Sequence, residues 1–162
     1  MDEQLLEALR LNKTVLTGVG KSYIVAQLGA SLLQSVGCNA TAIHATDMLH
    51  GGLNIKPDVI ITISHSGETA ETLAVMDFIC DAVSVAITGG LDSQLSFASS
   101  KTLHYDIERD GSKHGTIPAN SVLEQVKILN EIVCALADEM TKEELAAGHP
   151  GGSLGKVYTW TD

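Results

Sequence analysis

Aromatic residues are scarce in this sequence: Phe, Tyr and Trp together make up 4% of its 162 residues. Proteins that hold single-stranded nucleic acid stack bases on such rings, so that class is disfavoured. Basic residues are scarce as well, with 10 Lys and Arg against 20 Asp and Glu and a net charge of -10. Nucleic acid and acidic membrane surfaces both select clustered Lys and Arg, so neither is an expected partner. A small anion is not excluded, because it responds to the local field. The three cysteines, Cys38, Cys80 and Cys134, are widely spaced and form no CxxC or Cys/His metal pattern. They read as buried thiols in a reducing compartment. No apolar run approaches membrane-spanning length. The acidic start, MDEQLLEAL, lacks the basic-then-apolar order of a secretion signal. A soluble cytoplasmic protein is the expectation.

What is present is a globular composition, 44% hydrophobic and 19% charged, in a chain suited to one domain over 1–162. Short apolar runs alternate with helix-like stretches. The spacing predicts strands over Thr14–Thr17, Ala40–Ile43, Asp58–Ile63, Val83–Thr88 and Thr102–Ile107. It predicts helices over Ser22–Val36, Glu68–Cys80, Ser93–Ser99, Pro118 or Ala119 to Met140, and Glu143–Ala147. The run DVIITI is apolar nearly throughout, as in a strand buried on both faces of a parallel sheet. Strand–helix repetition of this kind predicts a doubly wound α/β domain.

In open α/β sheets ligands sit beyond the carboxyl ends of the strands. Two loops fit that rule. The first, TGVGKS, is a Gly-rich strand-to-helix turn containing Gly20, Lys21 and Ser22. A Walker A loop needs glycine at position 15, which is Val15, and a dinucleotide fingerprint needs glycine at 23, which is Tyr23. What remains is a lysine at a helix start, electrostatically misplaced unless an anion joins it, or else simply solvated. The second loop, SHSGET, offers the hydroxyls of Ser64, Ser66 and Thr69 around Gly67, ahead of a helix whose first N–H groups are free. A phosphate fits such a nest. Alternatively, Ser66 or Thr69 merely caps the helix. Glu68 and Glu71, three apart, are a candidate base or a pair of dipole-complementing acids. Among the histidines, His50 in LHGGLN and His149 in GHPGGSLG stand in loops, where imidazole suits proton transfer. No HxH or HExxH spacing supports a metal site, and no GxSxG elbow is present.

TGVGKS, HATDMLHGGLN, ISHSGETAET and GHPGGSLGK, in this order and spacing, resemble the sugar isomerase (SIS) domain, and within it the arabinose-5-phosphate isomerases. The resemblance runs from about Thr14 to Lys156. Its SxSGxT element is common to SIS domains, whereas the HPGGxLG tail is specific to the arabinose-5-phosphate branch. It implies a three-layer α/β/α sandwich around a five-stranded parallel sheet in flavodoxin-like order. It implies interconversion of ribulose 5-phosphate and arabinose 5-phosphate, the latter a precursor of the eight-carbon acid sugar (Kdo) of bacterial lipopolysaccharide. No cofactor or metal is implied. Phosphate binding would fall on Ser64, Ser66 and Thr69, with Gly20, Ser22, His50 and His65 also lining the substrate site. Catalytic roles would fall on Lys21, Glu71, His149 and Asp110. The implied assembly is a homotetramer with active sites shared between subunits, so that His149 or His50 would serve a neighbour.

This sequence departs from the family pattern in three places. Asp110 stands where a KE pair places a glutamate, a hydroxyl-rich TSS is replaced by Ala119, Asn120 and Ser121, and the leading helices are shorter. The regulatory CBS pair has no counterpart, so an isomerase core standing alone is expected. Two other readings share the motifs. One is an isomerase of a hexulose or heptose phosphate; the other is a sugar-phosphate sensor without catalysis.

Overall fold

The computed structural model describes residues 2–79, 81–153 and 155. The expected helix end at Cys80, as well as Leu154, Lys156 and Trp160, lie outside the described residues. Five strands form one parallel sheet: β1 (Thr14–Gly18), β2 (Ala40–Ala42), β3 (Val59–Ile63), β4 (Val83–Thr88) and β5 (Lys101–His104), in the order β2-β1-β3-β4-β5. β1 and β3 are buried at every residue, which is what a central strand covered on both faces requires.

The helices α1 (Glu3–Leu11), α2 (Lys21–Ser35), α3 (Ala45–Leu49), α4 (Ala70–Met76), α5 (Gln94–Ala98), α6 (Asn120–Ala137) and α7 (Lys142–Ala147) divide between the two faces. Strand side chains alternate with period two. Leu16, Ile61, Ile63, Val85 and Ile87 therefore point to one layer, against Leu5 and Leu9 of α1, Val25, Ala30 and Leu33 of α2, and Leu129, Ile132 and Leu136 of α6. Val15 and Ile60 point to the other, against Ala45 and Met48 of α3 and Val75 of α4, while Ala86 meets Met76 of α4 and Leu95 of α5. The result is the three-layer α/β/α sandwich in flavodoxin-like order that the sequence pattern implies.

Some boundaries differ from the sequence expectation. α4 begins at Ala70 rather than Glu68, because Gly67 adopts φ +68° and turns the chain before the helix can start. β5 ends at His104, although Tyr105 N–H still reaches the Thr88 carbonyl. Two helices were not anticipated. α1 is capped by the Asp2 side chain and buries Leu5, Leu6 and Leu9. α3 is capped by His44, whose Nδ1 accepts from Thr46 N–H. Among the described residues no helix is long and apolar enough to cross a membrane.

Candidate functional site

The exits of β1 and β3 lie side by side, since Gly18 pairs with Ile63 in the sheet register. Adjacent exits bring the two candidate loops to one place. Gly18 is required there: a Cβ would stand 2.9 Å from the Ile63 carbonyl oxygen and 3.0 Å from the Ser22 carbonyl carbon. Gly20, at φ +60°, then enters α2 with no side-chain cap, so the first N–H groups of that helix have no side-chain acceptor. Lys21, exposed, is the first residue of α2.

The β3–α4 loop is organised by its own hydroxyls. Ser64, 3% exposed, accepts from Gly67 N–H at 3.2 Å and lies 3.0 Å from Thr69 Oγ1. Ser66 Oγ accepts from Glu68 N–H at 3.1 Å. Gly67 packs so tightly that a Cβ would sit 2.0 Å from Ser93 Oγ. Thr69 holds the N-cap position of α4 but makes no side-chain cap bond, leaving a second open helix start. The backbone of His65 is pinned, its carbonyl accepting from Gly89 N–H at 3.0 Å and from Thr88 Oγ1 at 3.2 Å.

Between these loops and α6 lies a cleft of about 220 Å³, small enough to suit a small ligand. Of the predicted site residues, the cleft gathers Lys21, Ser22, Ser64, His65, Ser66, Thr69 and Asp110. Val19, Ile63, Pro118, Ser121, Val122 and Gln125 complete the wall. Gly20 is adjacent, at the start of α2.

Three predicted residues stand away from it. Glu71 is exposed in the first turn of α4 and does not line the cleft. His50 caps the C-terminus of α3 and does not line the cleft. His149 follows α7, with its Nδ1–H donating to the Leu145 carbonyl at 2.7 Å, which leaves Nε2 as the acceptor of the neutral ring. The preceding Gly148 lies against the far end of α2, where a Cβ would be 3.8 Å from the Ser35 carbonyl oxygen. Lys21 opens that helix of 15 residues, so His149 sits roughly 20 Å from the cleft of its own chain. Glu68 does not share a helix face with Glu71. Its carboxylate accepts from Gln94 N–H at 2.8 Å and Gln94 Nε2 at 2.7 Å and thereby caps α5.

Asp110 is engaged on both oxygens. Oδ1 accepts from Ala119 N–H at 2.6 Å, Gly111 N–H at 3.1 Å and Ser121 N–H at 3.2 Å, and Oδ2 accepts from Ser121 Oγ at 2.6 Å. Burial opposes its charge, but these hydrogen bonds outweigh burial and hold the carboxyl at about 2. Ala119 has no side-chain cap to offer α6, and Asp110 supplies it from the preceding loop.

The sequence reading missed Gln125 and Tyr105. Gln125 is 1% exposed within the apolar stripe of α6 formed by Leu129, Ile132 and Leu136. A polar residue at a core position of a periodic helix was the available signal. Tyr105 carried none beyond its place in the expected strand Thr102–Ile107. Among the described residues no group of His, Cys, Asp and Glu could hold a metal ion.

The chain is similar to known proteins. The model of the SIS domain matches residues 10–126. An uncharacterized protein of Helicobacter pylori (strain ATCC 700392 / 26695) is 31% identical over 150 residues, covering 89% of this chain and 46% of that protein. The arabinose 5-phosphate isomerase KdsD of Pseudomonas aeruginosa is 29% identical over 150 residues, again 89% of this chain and 46% of the relative. The chain thus spans about half the length of these curated relatives. The structure of E. coli CFT073 c3406 in complex with arabinose 5-phosphate superposes with a TM-score of 0.84 at 28% identity, covering 91% of this chain and 82% of that one.

Proposed function

The chain belongs to the SIS domain family, and on that premise we propose that it is a phosphosugar aldose–ketose isomerase interconverting D-ribulose 5-phosphate and D-arabinose 5-phosphate. The observation that carries the reading is the convergence of two uncapped helix starts, Lys21 and the Ser64–Thr69 hydroxyl loop on one small cleft. Unsatisfied N–H groups at helix starts attract an anion, and a phosphate is the group that uses several of them together. The names of the P. aeruginosa and E. coli relatives support a pentose phosphate.

In this reading the β3–α4 loop anchors the unreactive phosphate, which fixes the sugar's reacting carbons in place. Isomerisation moves a proton between C1 and C2 through an enediolate. The Lys21 ammonium stabilises the negative charge that develops on the sugar oxygens. Glu71 and His149, neither of which lines the cleft of its own chain, share the proton transfers in the cleft of a neighbouring subunit. In a single chain His149 is at the wrong end of α2 for this, so it acts in the cleft of a neighbouring subunit of a homotetramer. Its Nε2, the acceptor of the neutral ring, suits a base. Asp110 acts by holding the start of α6, and with it Ser121, Val122 and Gln125, against the cleft.

The test is incubation with ribulose 5-phosphate and analysis of the sugars by NMR. Appearance of arabinose 5-phosphate is expected. Turnover of hexulose or heptose phosphates alone would replace the substrate, and binding of phosphosugars without any isomer formed would replace the enzyme by a sensor.

A further inference from the structure

Beneath the cleft, side chains as far as 103 positions apart in sequence meet in one string of hydrogen bonds. Gln125, buried on α6, donates from Nε2 to Tyr105 Oη at 2.9 Å, and its Oε1 accepts from Ser22 Oγ at 3.5 Å. Tyr105 is 5% exposed, and its Oη stands 3.1 Å from His65 Nδ1. The two rings stack with centroids 5.8 Å apart at 23°. The string ties together the exits of β1, β3 and β5.

The string also fixes protons. A buried phenol O–H needs an acceptor. The Tyr105 oxygen already accepts from Gln125, so its own hydrogen points to His65 Nδ1. Burial, only partly countered by the Gln125 hydrogen bond, pushes the phenol up to about 12 and keeps that hydrogen in place. With Nδ1 accepting, neutral His65 carries its proton on Nε2. His65 itself is exposed, and it stands between the cleft and an adjoining cavity of about 290 Å³ that Tyr105 also lines.

We infer that His65 is a catalytic residue that presents Nε2–H to the sugar's carbonyl oxygen, and that Tyr105 and Gln125 are positioning residues that fix its tautomer and ring plane. The inference rests on the isomerase reading above. As a C–H proton leaves for the base, the carbonyl oxygen gains enediolate charge, and the hydrogen bond from His65 strengthens with it. No bond to His65 forms or breaks. The role complements Lys21, one donor serving each of the two enediolate oxygens.

The experiment combines ¹⁵N NMR of the histidine rings with steady-state kinetics on ribulose 5-phosphate. The His65 signal is assigned by its loss in His65→Asn. The wild-type ring is expected as a single Nε2–H tautomer, and Tyr105→Phe is expected to mix the tautomers and lower kcat about tenfold at little-changed KM. His65→Asn, whose amide keeps the Tyr105 contact but has nothing at the Nε2 position, is expected to lower kcat about 100-fold. His65→Gln restores an N–H near that position and is expected to recover about tenfold of the loss. An Nδ1–H tautomer in the wild type, or undiminished kcat in His65→Asn beside an active wild type, overturns the inference alone. A wild type that shows the Nε2–H tautomer yet forms no isomer overturns the isomerase reading and the catalytic role with it.

Discussion

Replacing Asp110 by Asn is expected to destabilise the fold by about 1 kcal/mol at neutral pH, and the loss should fade in acid. The carboxylate accepts four hydrogen bonds, the shortest from Ala119 N–H and Ser121 Oγ at 2.6 Å each. It thereby caps a helix of 18 residues whose own N-cap, Ala119, has no polar side chain. Its carboxyl lies at about 2 against an ordinary 3.8. At about 1.4 kcal/mol per unit, that gap sets a ceiling of roughly 2.5 kcal/mol. Asp110 is partly exposed, so solvent screening reduces the figure to about 1 kcal/mol. Because the folded-state value lies below the unfolded one, the contribution is complete above about pH 4 and disappears as pH falls toward about 2. Urea denaturation of both proteins at pH 7, 5 and 3 measures it. A gap near 1 kcal/mol at pH 7 and 5 that narrows at pH 3 is the expected result. A gap of the same size at all three pH values would refute the charged cap. Kinetics on the same variant separate capping from chemistry. A cap changes kcat less than about tenfold, whereas loss of a proton-transfer group costs about 100-fold or more.

Lys21→Ala should lower kcat/KM about 100-fold while leaving stability within about 0.5 kcal/mol, because the side chain is exposed; unchanged kinetics would remove Lys21 from the mechanism. Gly67→Ala should destabilise by about 1–3 kcal/mol and weaken phosphosugar binding, measured by thermal melting and titration calorimetry, since φ is +68° and the new methyl would meet Ser93. Lys21→Ala and His149→Ala proteins, each strongly impaired, should regain activity when unfolded and refolded together, because a mixed assembly can form a site with both residues intact. If the mixture stays as impaired, His149 does not work across a subunit boundary.

Much of the fold was legible because it is written locally. The apolar run at Val59–Ile63 marked a doubly covered strand, and the glycines at 18, 20 and 67 marked turns that the structure needs. α1 escaped notice although Leu5, Leu6 and Leu9 repeat at helical spacing, because its acidic start was weighed only as a possible leader. The start of α4 was misplaced because Glu68 carries the composition of a helix start, while its carboxylate is used on α5, 26 residues away. No local pattern records such a partner.

The sequence by itself determined the Gly-rich turn after β1, the hydroxyl-rich turn after β3 and the strands that deliver them, because turn geometry and burial periodicity depend on neighbours along the chain. Only the tertiary structure decided which of the candidates share a cleft. The parallel register sets the exits of β1 and β3 side by side, α6 closes over them, and Asp110 is committed to holding that helix. It also placed His149 at the opposite end of α2 and joined Ser22, Gln125, Tyr105 and His65. Those meetings follow from packing between distant segments, which periodicity along a chain does not encode.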